Sequence, residues 1–350
     1  MTVADTSIAP APPGSATRRV GIIYAALLAG NAVAWLWALA VFHDNPLLIG
    51  TAVLAYVFGL RHAVDADHIA AIDNVTRKLM QMRQKPVTVG LYFSLGHSTV
   101  VVLACAGIAM TSVALRAHFA AFRDIGSVVG TSVSAAFLLM IALANIVTLV
   151  SVHRAFRAAA NGETPVDVPL VQGGILGRIL RPLMNFISQP WHMYLLGFLF
   201  GLGFDTATEV GLLGISATQA SQNVPLWSIM IFPALFTAGM SLVDTTDGVV
   251  MVGAYGWAFV KPMRKLLYNL AITLISITVA LIVGVLEALN LIADKFSLNS
   301  GFWRWIGNLN DHFGAIGCFI IASLIACWAI SMLIYRRSGE AEIRNAERVL

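Results

Sequence analysis

The stretch RHAVDADHIAAID, Arg61 to Asp73, sets one arginine, two histidines and three aspartates into a run otherwise made of alanine, valine and isoleucine. The residues before it are almost wholly apolar back to Pro46, so the cluster lies inside a segment long enough to cross a bilayer. An ionisable group there costs a few kcal/mol or more unless it is paired, lines a cavity or binds an ion. What surrounds the segment therefore decides both the fold and the purpose of its charges.

The whole chain has the same character. Of its 350 residues 58% are hydrophobic and 11% charged, against roughly a quarter charged in a soluble domain. Apolar runs of about 20 residues or more lie at 20–42, 46–72, 88–115, 127–152, 192–219, 226–259, 266–292 and 313–335. This predicts an all-α polytopic membrane protein of eight transmembrane helices. The first run is too long for a signal-peptide core, so it is expected to remain as the first helix.

Lys and Arg concentrate in cytoplasmic loops. With the N-terminus inside, 17 of the 22 basic residues fall on inner segments, leaving Arg116, Arg123, Lys295 and Arg304 outside and Arg61 within a helix. Both termini are accordingly expected in the cytoplasm. The expected organisation is a disordered tail over 1–18, helices 1–4 over 19–152, a cytoplasmic loop over 153–191, helices 5–8 over 192–335 and a tail over 336–350. The basic residues form no single stripe, so nucleic acid is not an expected partner; the bilayer is, and no obligate protein partner is evident. No G-x-x-x-x-G-K-[ST] loop is present. Cys105, Cys318 and Cys327 lie inside spans at no metal-ligand spacing and read as small buried hydrophobes.

On a continuous helix His62, Asp65, His68 and Asp73 share one arc at about 100° per residue, and Asp67 points elsewhere. Either Asp67 serves a second contact or the helix is unwound here, which would free backbone groups as ligands. Imidazole with carboxylate suits late first-row divalent metals better than Mg or Ca. The plainer alternative is ion-paired packing, Arg61 with Asp65 and Asp73 with Arg77. It leaves His62, Asp67 and His68 unaccounted for, because one guanidinium faces five acid or imidazole groups.

Other spans carry further polar residues. SLGHSTVV places His97 in the third helix, either as a hydrogen-bonded helix contact or as a ligand, and one interhelical amide bond would explain Asn145 in the fourth. The fifth, GFLFGLGFDTATEVGLLG, carries Asp205 and Glu209 one turn apart; the sixth, GMSLVDTTDGVVM, carries Asp244 and Asp247 on one face. No basic residue lies within these two spans, so a cation, a proton or a metal ion, must neutralise the four carboxylates. FGLRHAVDADH (58–68) aligns without gaps on FGLGFDTATEV (200–210), and SLGHS (94–98) on TAGMS (237–241). Helices 2–4 and 5–7 are therefore expected to be inverted repeats, a plan that secondary transporters use to build a site near the midplane. Residues 293–312, with Phe296, Trp303, Trp305 and His312, read as an outer segment with an interfacial aromatic belt.

RHAVDADHI, LGHSTVV, FDTATE and GMSLVDTTDG together resemble the nickel/cobalt transporter family of single-chain permeases, most closely its high-affinity nickel permeases, over about residues 20–335. The resemblance implies uptake of Ni2+, with Co2+ as the alternative ion, across a bacterial inner membrane through eight helices and without ATP. The metal would be cargo rather than a cofactor, and the chain would not be an enzyme. Carried over by position, the metal-site residues are His62, Asp65, Asp67 and His68, with His97, Asp205, Glu209, Asp244 and Asp247 as further polar elements. The expected mechanism is alternating access, His62, Asp67 and His68 stripping water from the ion and the carboxylates passing it inward or carrying protons. Efflux relatives tend to have a His-rich cytoplasmic stretch, whereas the inner loop here has only His153 and His192 near its edges, which favours uptake. The alternatives are an efflux permease and an intramembrane metal-dependent hydrolase, which would need a general acid or base beside an open metal position.

Overall fold

The computed structural model describes residues 15–110, 116–160, 187–203, 206–222, 224–258, 262–327 and 329–330. The described residues form twelve helices and no strand: α1 (Ser15–Phe42), α2 (Pro46–His62), α3 (Ala66–Gln81), α4 (Val89–Met110), α5 (Arg116–Ala160), α6 (His192–Gly201), α7 (Ala207–Ser221), the single turn α8 (Leu226–Ile229), α9 (Ile231–Ala258), α10 (Pro262–Lys295), α11 (Gly301–Asp311) and α12 (Phe313–Cys327). Five segments are long and apolar enough to cross a membrane, Thr17–Phe42, Val89–Met110, Asp124–Val147, Leu226–Gly256 and Thr273–Lys295, and two bent pairs bring the total to seven. The chain is a multi-pass membrane protein.

The second span is a broken helix. Asn45 caps α2 by accepting from the Leu48 amide at 3.3 Å, and Pro46 occupies its first position, where no amide is needed. The helix runs to His62, turns through Ala63 and Val64, and resumes at Ala66 bent by 50°. Asp65 holds the N-cap position of α3 in an extended conformation, yet its carboxylate makes no capping bond and turns to His62 instead. The unwound alternative for this stretch is therefore the correct one, and the single arc drawn through His62 to Asp73 does not survive the bend.

The expected fifth span is also interrupted, α6 ending at Gly201 and α7 beginning at Ala207. This break falls in the stretch that aligns with the first one. The end of the chain departs further from expectation. Residues 301–311, expected as part of an outer segment, form α11, whose Ile306 is buried against the bundle while Phe302 and Trp305 stay exposed. A bend of 63° then leads into α12. At the other ends, α1 starts at Ser15, inside the expected tail, and α5 runs on to Ala160, into the expected loop. The remainder of both tails and most of that loop lie outside the described residues.

Glycines permit the closest helix contacts. A methyl group at Gly59 would overlap the Phe236 carbonyl, and one at Gly239 would press on Tyr56, so α2 and α9 lie backbone to backbone. Gly197 against Phe93, and Gly96 against Tyr194 and Phe198, do the same for α6 and α4. Buried apolar side chains gather in two clusters. One, with Ile69, Phe93, Leu138, Phe200, Val283 and Phe313, joins α3–α6 and α9–α12; the other, with Phe42, Ala52, Val101, Leu212 and Phe236, joins α1, α2, α4 and α7–α9.

Candidate metal centre

The polar residues of the broken span lie on the seam between the two apolar clusters. The His68 ring meets Phe93 edge-on at 4.8 Å and the His62 ring lies 5.6 Å from Phe236, one aromatic from each side. His62 and His68 flank the helix break, and α4 brings His97 across from them. The three rings have centroids 4.6–4.9 Å apart, and each offers a nitrogen within 4.8 Å of the others. All three side chains are buried.

Carboxylates fix how two of these rings face. His62 Nδ1 lies 3.0 Å from Asp65 Oδ2, and His68 Nδ1 lies 3.4 Å from Asp244 Oδ1. A carboxylate beside Nδ1 holds the proton there and leaves the Nε2 lone pair for a metal, the usual arrangement behind metal-binding imidazoles. His68 Nε2 has no hydrogen-bond partner. His62 Nε2 points at His97 Nε2, 2.9 Å away, and His97 Nε2 is also 2.9 Å from Glu209 Oε1. One N–H can serve only one of two acceptors, so two imidazoles and a carboxylate converge on a spot that a cation would satisfy better than a proton. Thr206 steadies Glu209 by donating to Oε2 at 3.0 Å, and the Thr208 hydroxyl lies 3.3 Å from His62 Nδ1.

The sequence-derived residues thus divide. His62, His68, His97, Asp65, Glu209 and Asp244 form one connected cluster. Asp67 is only partly buried, lies near enough to His62 and His68 to act on both electrostatically, and lines an adjoining cavity; its Oδ1 has no partner. Asp247, one turn past Asp244, is buried with Oδ2 unpartnered. Asp205 lies outside the described residues. His97 makes the interhelical hydrogen bonds that one of its two expected readings called for, and it stands among the groups that could hold an ion.

Neither pair expected around the motif closes to a direct ion pair among the described residues, although Arg61 lies near enough to act on Asp65 electrostatically, and Arg77 on Asp73. Among the described residues Arg61 makes no ion pair with Asp65, and its guanidinium lies over Gly314 of α12. Asp73 accepts from Tyr255 and from Ser276 at 2.7 Å, while the buried Arg77 donates to Thr273 at 2.8 Å and to Asn74. Asn145 makes the single interhelical amide bond expected of it, to Asn74 at 2.9 Å. Thr206, Thr208, Glu287 and Asp311 were not singled out by sequence. Glu287 had a signal, a carboxylate within an apolar span; Asp311 had none once its segment was read as an outer loop.

Residues 48–334 match the family model described as high-affinity nickel-transport protein. The high-affinity nickel transport protein of Cupriavidus necator is 55% identical over 337 residues, covering 95% of this chain and 96% of the relative. The hydrogenase nickel incorporation protein HupN of Bradyrhizobium diazoefficiens is 51% identical, covering 93% and 87%. The cobalt transport protein NhlF of Rhodococcus rhodochrous is 36% identical, covering 83% and 85%. No solved structure matches the chain. The residues that build the cluster all lie within the matched region, and the chain belongs to the high-affinity nickel-transport protein family.

Proposed function

We propose that this protein takes up Ni2+, with Co2+ as the alternative cargo, across the bacterial inner membrane without ATP, by alternating access at the buried histidine cluster. The observation that carries the reading is the convergence of His62, His68 and His97, two of them held through Nδ1 by carboxylates. His97 Nε2 lies 2.9 Å from both His62 Nε2 and Glu209 Oε1, and His62 Nε2 lies 3.8 Å from that oxygen, so the three donors surround one spot. Imidazole with carboxylate suits late first-row divalent ions, Ni2+ and Co2+ among them, better than Mg2+ or Ca2+.

His62 and His97 would replace part of the ion's water shell, and Glu209 and Asp244 would offset its charge in the apolar interior. Asp67, Asp205 and Asp247 are assigned to the path on either side. Conduction needs sites that release as well as bind, and partial ligand sets meet that need better than one closed cage. Eight spans require α6 and α7 to count as one, with both termini cytoplasmic by the distribution of Lys and Arg. The inverted repeat is supported by the two aligned breaks and by the matching glycine contacts of α2 with α9 and of α6 with α4. The family is one of transporters and not of enzymes, which sets the hydrolase alternative aside.

The test is uptake of labelled Ni2+ by proteoliposomes with and without an imposed proton gradient, with Co2+ as competitor. Saturable uptake that Co2+ inhibits, and that His68→Ala abolishes at trace nickel, is expected. Near-normal accumulation by the His68→Ala protein would overturn the ligand role, and outward transport alone would favour the efflux permease.

A further inference from the structure

Beside the histidine cluster lies a cavity that opens at the exposed residues Arg61 and Asp311. Three chain breaks meet there: Asp65 and Asp67 line it from the α2–α3 break, Gly203 and Thr206 from the α6–α7 break, and Asn310 and Asp311 from the α11–α12 bend. Glu287 of α10 and Ser134 of α5 complete its polar wall. Ser134 lies within about three turns of the Asp124 end of its span, and Glu287 within about three turns of Lys295, so both belong to the same half of the bundle. With the termini cytoplasmic this is the outer half.

We propose that this cavity is a second cation site, an oxygen-lined vestibule that binds a divalent ion before it reaches the imidazoles. The inference rests on the transport reading given above. Four carboxyl groups, of Asp65, Asp67, Glu287 and Asp311, face one guanidinium, that of Arg61. Two of the buried polar side chains in the wall lack partners: Asp65, 1% exposed, has no hydrogen bond to Oδ1, and Ser134, 4% exposed, has none to its hydroxyl. Gly314 lets α12 approach Asp65 and Arg61 closely, since a methyl group there would lie 3.2 Å from Asp65 Oδ1 and 3.5 Å from Arg61 Nε.

The two sites divide the work by ligand type. Carboxylate, hydroxyl and amide oxygens suit hydrated Mg2+ or Mn2+ as well as Ni2+, so the vestibule concentrates divalent ions with little selection. Asp65 belongs to both sites, with Oδ2 at His62 and Oδ1 on the vestibule side. An ion held there is one carboxylate away from its next ligand.

Mn2+, which favours oxygen donors, is the probe. Paramagnetic resonance titration of the detergent-solubilised protein is expected to show Mn2+ binding that is lost in Glu287→Gln/Asp311→Asn and kept in His68→Ala. In proteoliposomes Asp311→Asn, a change at an exposed residue, is expected to raise the half-saturating Ni2+ concentration about tenfold with the maximal rate within about twofold, and Asp311→Glu to restore it. No Mn2+ bound by the native protein, or binding and half-saturation unchanged in the variants, would overturn the vestibule. If native proteoliposomes take up no nickel, the transport reading fails, and Mn2+ binding still decides the site.

Discussion

At the scale of residues, the two nitrogens of the His62 and His68 rings face different groups. In His62 and His68 a carboxylate holds Nδ1 and leaves Nε2 facing inward. Removing such a partner commonly weakens metal affinity 10- to 100-fold. Asp244→Asn is therefore expected to weaken nickel binding by about that factor with the fold intact, as measured by calorimetry on the solubilised protein; unchanged affinity would show that His68 is not the ligand. The histidines were legible in the sequence because an ionisable residue in an apolar run has few bland explanations. The partners of Asp73 were not. Spacing along a helix pointed to Arg77 one turn on, whereas Tyr255 and Ser276 arrive from helices nearly two hundred residues away.

At the scale of elements, the breaks are what place chemistry in the interior. A continuous helix satisfies its own amides and carbonyls, while a broken one leaves polar groups to find other partners. Gly317 of α12 lies against the Val64 carbonyl at the first break, where a methyl group would collide with backbone that cannot move cheaply. Gly317→Ala is expected to cost roughly 1–3 kcal/mol, read as a lowered thermal midpoint by tryptophan fluorescence in detergent. Gly253→Ala, a helical position with nothing within 4 Å, is the control and should not destabilise. Equal midpoints for the two variants would mean that α12 does not pack on the break. The first break was legible as one of two alternatives, because Asp67 fell off the arc of its neighbours. The bend before α12 was not, since Trp303, Asn308 and Asp311 in a short amphipathic run read equally well as an interfacial loop.

At the scale of the molecule, two apolar clusters enclose a polar seam. The vestibule opens at one end of the seam, the imidazoles occupy its middle, and a buried network of Asp73, Arg77, Asn74, Tyr255 and Ser276 lies farther along α3. Composition alone was enough for the membrane class, since 11% charged residues cannot clothe a soluble protein of this size. The seam was less accessible, because its walls pair α2 with α9 and α4 with α6, contacts that only the three-dimensional packing brings together. On the proposed reading nickel is held by imidazole from both α2–α3 and α4. The most direct measurement is the nickel-edge X-ray absorption spectrum of the purified, nickel-loaded protein beside its His97→Ala and His68→Ala variants. Two or three imidazoles at about 2.0–2.1 Å, with one lost in each variant, is the predicted result. A shell of oxygen ligands alone, or spectra that both substitutions leave unchanged, would contradict it.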